Sequence, residues 1–176
     1  EGYGLSILGI ENIKNQISKI KDVKLIITVD NGIVANKAVE FANKNGIDVI
    51  ITDHHVPSKK LPDAFAIVRT TKLCGAGVAW MLSNVILNLF QDLKHGSKKM
   101  LKRVQHDNER DNHLELVALA TVADLVPLIG ANRTLLKFGL GQLRKTQRIG
   151  LKALFQEAGI EPEKIGVYEI GHIIAP

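Results

Sequence analysis

Two short apolar runs rich in β-branched residues stand on either side of an amphipathic segment, and this arrangement leaves few folds open to the chain. The first run, residues 23–29, ends at Asp30-Asn31-Gly32, and the second, residues 47–51, ends at Thr52-Asp53-His54-His55. The segment between them has apolar residues at helical spacing and stops at Asn45-Gly46, a helix C-cap signature. Two strands joined by a helix of this length predict a βαβ unit with parallel strands and a right-handed crossover.

The flanking segments extend this pattern. A polar segment with spaced apolar positions predicts a helix over residues 11–20, and the apolar run 64–68 is a candidate third strand. Residues 91–112 are polar and predict an exposed connection or the end of a surface helix. Further helices are predicted over residues 75–89, 114–120, 132–143 and 151–158. We therefore predict an α/β fold, a parallel sheet flanked by helices and followed by a mainly helical segment.

The charge and the cysteine content restrict the environment and the partners. The net charge of +5 and the basic patch Lys98, Lys99, Lys102 and Arg103 favour an anionic partner, although such a run is also typical of a solvated helix face. The single cysteine, Cys74, excludes an internal disulfide and a Cys-rich zinc site. No apolar stretch approaches the roughly 20 residues that cross a bilayer. We expect a cytoplasmic protein with no membrane partner.

Acidic and imidazole side chains follow both predicted strands, at Asp30 and at Asp53-His54-His55. In open α/β sheets, sites form in the crevice beyond the carboxyl ends of parallel strands. Neighbouring strand ends lie about 5 Å apart, or about 10 Å with one strand between them. Either separation lets a carboxylate and an imidazole share metal ions. The alternative for Asp30 is a turn former or an N-cap.

A third acidic residue, Asp124, stands among aliphatic residues in Ala123-Asp124-Leu125-Val126-Pro127. A buried, unpaired carboxylate is costly, so this pattern predicts that Asp124 meets a metal, a cation or several hydrogen-bond donors. A helix cap before Pro127 is the alternative interpretation.

Four segments resemble successive motifs of the DHH phosphoesterase family, in the family's order: TVDNG (28–32), ITDHH (51–55), GAGVA (75–79) and VALATVAD (117–124). Three flanking segments resemble the RecJ branch of that family: EGYGL (1–5), NR (132–133) and GHIIAP (171–176). The resemblance spans nearly the whole chain. The ordered set of motifs is far more specific than the DHH triplet alone.

The resemblance implies a binuclear manganese or magnesium centre with a stated role for each motif residue. Asp30, His54 and Asp124 would be metal ligands, with Asp30 bridging the two ions. His55 would lie beside the scissile phosphate and stabilise charge or protonate the leaving oxygen, and Asp53 would orient a ligand without touching metal. Carboxylate and imidazole ligands suit manganese, and two metals can generate hydroxide and clamp phosphoryl oxygens.

The glycine-rich segment Gly75-Ala76-Gly77 opens a predicted helix. Its backbone N–H groups could bind a phosphate, with help from the helix dipole. Close packing of the helix against the sheet explains the same glycines equally well.

The function implied by the resemblance is 5′ to 3′ exonuclease hydrolysis of single-stranded DNA in repair and recombination, with repair proteins as further candidate partners. We predict a partial DHH domain over residues 1–145 and a helical connection over residues 146–176. The family's first metal-binding motif has no counterpart, so we interpret the sequence as an internal fragment with weak or no activity by itself. The alternatives are a nano-RNase, a cyclic-dinucleotide phosphodiesterase, and a non-catalytic DHH-like scaffold.

Overall fold

The structure is a computed structural model that describes residues 4–16, 23–95 and 113–175. The chain divides into two compact units, a first unit of Glu1–Ala79 and a second unit of Trp80–Pro176. The basic patch predicted at residues 98–103 lies outside the described residues. The predicted domain boundary at residue 145 stays a prediction.

The first unit is built on a parallel sheet whose three strands follow chain order. The strands are β1 (Leu25–Val29), β2 (Asp48–Asp53) and β3 (Ala66–Arg69), with β2 in the centre. β1 pairs with β2 and β2 with β3, all in parallel, so the predicted parallel arrangement is confirmed. Because β1 and β2 are direct neighbours, the segments that follow them leave the sheet about 5 Å apart.

Helices α1 (Ile7–Gln16) and α2 (Asn36–Lys44) supply apolar side chains to the core of this unit. α1 begins after Ser6, whose hydroxyl oxygen accepts a hydrogen bond from the Gly9 N–H at 3.1 Å, as an N-cap does. The buried core residues come from both helices, from β2 and from the residue before β2: Ile10, Ala38, Val39, Ala42, Ile47, Val49 and Ile51.

Helix α3 (Gly75–His95) begins at the predicted glycine and ends later than predicted. No glycine or proline follows Gly77 within this helix, so nothing in the covalent chain breaks it at residue 89. The segment predicted as a connection or helix end therefore begins as helix, and residues 96–112 lie outside the described residues.

The second unit is helical, as predicted, and is held by one apolar cluster. Its elements after α3 are α4 (Leu114–Ala123), α5 (Gly130–Leu143), α6 (Ile149–Glu157), a 3₁₀ turn (Pro162–Lys164), and the short helix α7 (Val167–Glu169), which runs into a π-helical turn (Ile170–Ile174). The buried cluster consists of Ala118, Val122, Leu136, Leu143, Phe155, Ile165 and Ile170.

Two contacts fix the packing of α4 in this unit. A Cβ at Gly139 of α5 would overlap the carbonyl oxygen of Leu114, so the glycine permits the two helices to approach closely. The buried carboxylate of Glu115 forms an ion pair with Arg148, with Nε and Oε1 2.6 Å apart. Among the helices of the described residues, none combines the length and the apolar content that a membrane span requires.

Candidate metal centre

The carboxyl ends of β1 and β2 are tied together by backbone and hydroxyl hydrogen bonds. The Asp30 N–H donates to the Thr52 carbonyl oxygen at 2.9 Å. The Thr52 hydroxyl in turn donates to the carbonyl oxygen of Thr28 at 2.7 Å and is buried. These bonds continue the pairing of the two strands one residue past the end of β1, and they fix the backbone position of Asp30 relative to β2.

Asp30 has left-handed backbone geometry, with φ of 63°. This region is unfavourable for most residues, and aspartate is among those that tolerate it best. The turn is closed by the Thr28 hydroxyl, which donates to the Asn31 carbonyl oxygen at 2.7 Å. Gly32 has φ of 110°, and a Cβ there would lie 2.8 Å from the same hydroxyl oxygen, so this turn needs glycine at residue 32.

The side chain of Asp30 meets His54 at this edge. His54 Nε2 lies 3.1 Å from Asp30 Oδ1, and the imidazole is mostly buried. Asp30 Oδ1 is itself buried, and its contact with His54 Nε2 does not have the geometry of a hydrogen bond, so no donor of the described residues satisfies this oxygen. A buried carboxylate oxygen without a donor is costly, and a cation would remove that cost.

Asp53 ends β2 and is almost fully buried, with 1% of its surface exposed. Burial by itself raises the pKa of this carboxyl group. Hydrogen bonds donated by the backbone N–H groups of Ile33, His55 and His54 and by the His55 ring outweigh burial, so the pKa is lowered below its usual value. The Ile33 bond to Oδ2 is 2.9 Å long, and the His54 bond to Oδ1 is 2.7 Å long. Asp53 is therefore an ionised group inside the fold.

The two adjacent histidines have different partners. His55 Nδ1 lies 2.7 Å from Asp53 Oδ1, whereas His54 faces Asp30. Their rings are 4.5 Å apart and inclined at 66°. With the Nδ1 proton of His55 directed at Asp53, its Nε2 is the nitrogen left for a metal or a substrate oxygen. The side chains of Asp30, His54 and His55 each offer a ligand atom, and these atoms all lie within 4.8 Å of one another.

The predicted glycine segment lies against the same site. A Cβ at Gly75 would overlap the Asp30 carboxylate, so the start of α3 packs directly on that side chain. The Gly77 N–H donates to the sulfur of Cys74 at 3.3 Å. The close-packing interpretation thus describes Gly75, while phosphate binding by residues 75–77 stays a prediction.

Asp124 lies in the second unit, at the C-terminal end of α4, where its N–H donates to the Ala120 carbonyl oxygen at 2.9 Å. Its side chain is exposed. The expectation that its aliphatic neighbours bury it was wrong, because Leu125 and Ile129 point to solvent with 85% and 74% of their surfaces exposed. A role for Asp124 as a metal ligand stays a prediction.

Sequence reasoning missed one charged residue at this edge, Arg69. It is the last residue of β3 and stands opposite Asp53 in the strand register. Its Nε donates to the carbonyl oxygen of His55 at 2.7 Å. The rule that pointed to Asp30 and Asp53, a charged residue at the end of a strand, would have found Arg69 as well.

The donor set suits a divalent cation such as manganese or magnesium. It combines a carboxylate with imidazole nitrogens, which are ligands of hard and intermediate metals. Asp30 Oδ1 gives the same indication, since it is buried and its 3.1 Å contact with His54 does not have hydrogen-bond geometry. The residues present therefore fit a metal.

The chain is similar to known proteins along its whole length. Residues 6–121 match the DHH family, N-terminal domain. The chain is 36% identical over 185 residues to the single-stranded-DNA-specific exonuclease RecJ of Bacillus subtilis, and 35% identical over 186 residues to that of Salmonella typhimurium. All of this chain is covered in both cases, but it spans only 20% and 31% of the length of these two relatives.

Solved structures show the same likeness. A crystal structure of exonuclease RecJ bound to manganese matches with a TM-score of 0.72 and 30% identity, covering 100% of this chain and 41% of that one. A structure of RecJ from Thermus thermophilus in complex with Mn²⁺ matches with a TM-score of 0.69 and 29% identity, covering 95% of this chain and 24% of that one.

Proposed function

The chain belongs to the DHH family, and from this premise we propose that it carries part of the active site of a metal-dependent exonuclease that hydrolyses phosphodiester bonds in single-stranded DNA. One observation carries the proposal: ligand atoms of Asp30, His54 and His55 lie within 4.8 Å of one another at the carboxyl edge of the sheet. Relatives over the full chain are named single-stranded-DNA-specific exonucleases. Attack from the 5′ end, a role in repair and recombination, and a cytoplasmic setting are parts of the same proposal.

Asp30 and His54 would hold a divalent metal, manganese or magnesium, and Asp124 is the proposed ligand from the second unit. When bound, a pair of such metals supplies Lewis acidity and a nucleophile at neutral pH. Asp30 Oδ1 is well suited to this role because it is buried and accepts no hydrogen bond from the described residues.

His55, held by Asp53, would donate a proton to the leaving oxygen. Asp53 is ionised and holds His55 through Nδ1, so the ring is fixed with its Nε2 available. A protonated His55 can donate from Nε2 to the oxygen that leaves phosphorus, and the Asp53 carboxylate stabilises the charged ring without touching the substrate. This supports the division of roles predicted from the sequence.

The other activities considered from the sequence have less support. A non-catalytic scaffold has no need to keep the Asp30–His54 pair, which is present with a 3.1 Å separation. The curated relatives that match the full chain are named RecJ, which disfavours a nano-RNase or a cyclic-dinucleotide phosphodiesterase.

The substitution Asp30→Ala tests the proposed function. In the intact protein it should abolish Mn²⁺-dependent degradation of single-stranded DNA, because the substitution removes a metal ligand. The circular dichroism spectrum should stay unchanged, because alanine at one residue with φ of 63° costs only about 1–2 kcal/mol. Asp48→Ala is the matched control, since Asp48 is an exposed carboxylate at the other end of β2. Wild-type rates in Asp30→Ala at saturating Mn²⁺ would refute the proposal.

A further inference from the structure

Arg69 lies at the edge of the sheet that carries the metal centre. It ends β3 opposite Asp53 in the register, so three strands bring Asp30, Asp53 and Arg69 to the same edge. The side chain is partly buried, and its Nε donates to the carbonyl oxygen of His55 at 2.7 Å. One hydrogen bond thus fastens the guanidinium group beside the histidine that we place next to the scissile phosphate.

The remaining donors of Arg69 have no protein partner among the described residues. A guanidinium group carries five N–H donors, and the single bond to His55 uses one of them. Two other arginines of the described residues, Arg144 and Arg148, differ in this respect. Arg148 pairs with the buried carboxylate of Glu115, and Arg144 donates through Nε and Nη2 to the Ile165 carbonyl oxygen. No carboxylate of the described residues lies within 4.0 Å of Arg69.

The Arg69 guanidinium group is held in place, partly buried and has unused donors, so it is suited to bind an anion in a defined position. Guanidinium groups bind phosphate through paired N–H···O bonds, which give direction as well as attraction. We propose that Arg69 binds a phosphate of the single-stranded DNA substrate, the one next to the scissile bond, and so positions the strand beside His55. This inference rests on the proposed function, because it takes the substrate to be single-stranded DNA.

Kinetics of Arg69→Gln and Arg69→Lys in the intact protein give the first test. Loss of one charge-assisted phosphate contact should lower kcat/KM for single-stranded DNA by about 10- to 100-fold, mainly through KM. Arg69→Lys should recover part of the loss, since it keeps the charge without the paired donors. Lys59→Gln removes the same charge from an exposed residue in the loop that follows β2 and should leave KM unchanged.

A role limited to holding the His55 loop would give a different result. In that case Mn²⁺ affinity, measured by calorimetry, and thermal stability would fall in Arg69→Gln along with activity. We expect both to stay at wild-type values. A large loss of Mn²⁺ affinity in Arg69→Gln would overturn the assignment of Arg69 to substrate.

Combining Arg69→Gln with a neutral backbone linkage in the DNA tests for direct contact between the two. A purely structural role of Arg69 would not depend on the charge of that linkage. A methylphosphonate at the linkage next to the scissile bond removes the charge that Arg69 is proposed to bind. The wild type should lose about as much kcat/KM on this substrate as Arg69→Gln loses on ordinary DNA. When Arg69→Gln acts on the methylphosphonate substrate, the loss of kcat/KM should be no larger than the loss from either change alone. Additive losses would overturn the inference.

These outcomes separate the inference from the proposed function. If the intact wild-type protein with Mn²⁺ does not degrade single-stranded DNA, both fail. If the wild type is active and depends on Asp30, but the methylphosphonate cycle is additive, only the role of Arg69 fails.

Discussion

Asp53 is a buried carboxylate that keeps its charge through four hydrogen bonds, donated by the Ile33 N–H, the His54 N–H, and the N–H and ring Nδ1 of His55. The asparagine side chain has one acceptor oxygen, so it could accept fewer of these bonds. Its NH2 group would face the N–H groups that now donate to Asp53. Asp53→Asn should therefore lower the free energy of unfolding at pH 7 by about 1.5–3 kcal/mol, the range for a hydrogen bond to a charged group. Chemical denaturation measures this change, and Asp48→Asn, an exposed carboxylate on the same strand, should change little.

The pH dependence of this difference has a definite sign. The pKa of Asp53 is lowered by folding from its ordinary value of 3.8, so its contribution to stability is present above that value and is lost as the pH falls through the folded-state pKa. The stability difference between the wild type and Asp53→Asn should narrow only below pH 3.8. A gap that already closes between pH 7 and pH 5 would contradict the assignment of a lowered pKa.

At the scale of elements, the start of α3 controls where the Asp30 side chain can lie. A Cβ at Gly75 would overlap the Asp30 carboxylate, while Gly75 itself has no unusual φ that alanine could not adopt. Gly75→Ala should therefore keep the helix but displace Asp30. We expect Mn²⁺ affinity to fall about 10- to 100-fold, as for other residues that orient metal ligands.

Gly141→Ala is a matched control for Gly75→Ala, because it also replaces a helical glycine and its Cβ would meet no atom within 4 Å. It should leave Mn²⁺ affinity unchanged and slightly raise stability through helix propensity. Calorimetric titration of both variants with Mn²⁺ measures the difference. Equal Mn²⁺ affinities in the two variants would show that the contact between Gly75 and Asp30 does not matter for the metal.

Local sequence pattern was enough to predict most elements of the first unit. The β-branched runs gave β1 and β2 to within two residues, and the Asn45-Gly46 signal marked the end of α2. The end of α3 was predicted early, because polarity after residue 89 was taken as a helix end although no breaker residue is present. The placement of Asp30 and His54 after the two predicted strands indicated that their side chains lie close together. The hydrogen bond between Arg69 and His55 joins residues whose contact depends on the loop path, which periodicity does not encode.

The exposure of Asp124 shows a second limit. Aliphatic neighbours in sequence predicted burial, but the chain turns at Leu125, where φ is 53°, and Leu125 and Ile129 project into solvent. Burial depends on which side chains pack against a segment in three dimensions, and a five-residue window does not contain that information. The alternative interpretation of the same segment, a helix cap before Pro127, agrees with the structure, since Asp124 is the C-cap residue of α4.

At the scale of the whole molecule, a metal bound only by the folded chain must raise its stability by mass action. At a metal concentration 100 times the dissociation constant, this gain is about 2.7 kcal/mol. The size of this gain in stability depends on every residue that contributes to metal binding, whichever unit the residue belongs to. It therefore allows the sequence-based role of Asp124 to be tested without reference to activity.

Asp124→Asn separates the ligand role of Asp124 from its role as a helix cap. Without metal, this substitution at an exposed residue should change the free energy of unfolding by no more than about 0.5 kcal/mol. If Asp124 is a ligand, the rise in Tm that Mn²⁺ produces in the wild type should be much smaller in the variant, because an amide oxygen is a weaker ligand than a carboxylate. Glu163→Gln, at an exposed carboxylate of the 3₁₀ turn, should keep the full rise. An undiminished Mn²⁺-dependent rise in Asp124→Asn would remove Asp124 from the metal site and leave the centre to Asp30 and His54 of the first unit.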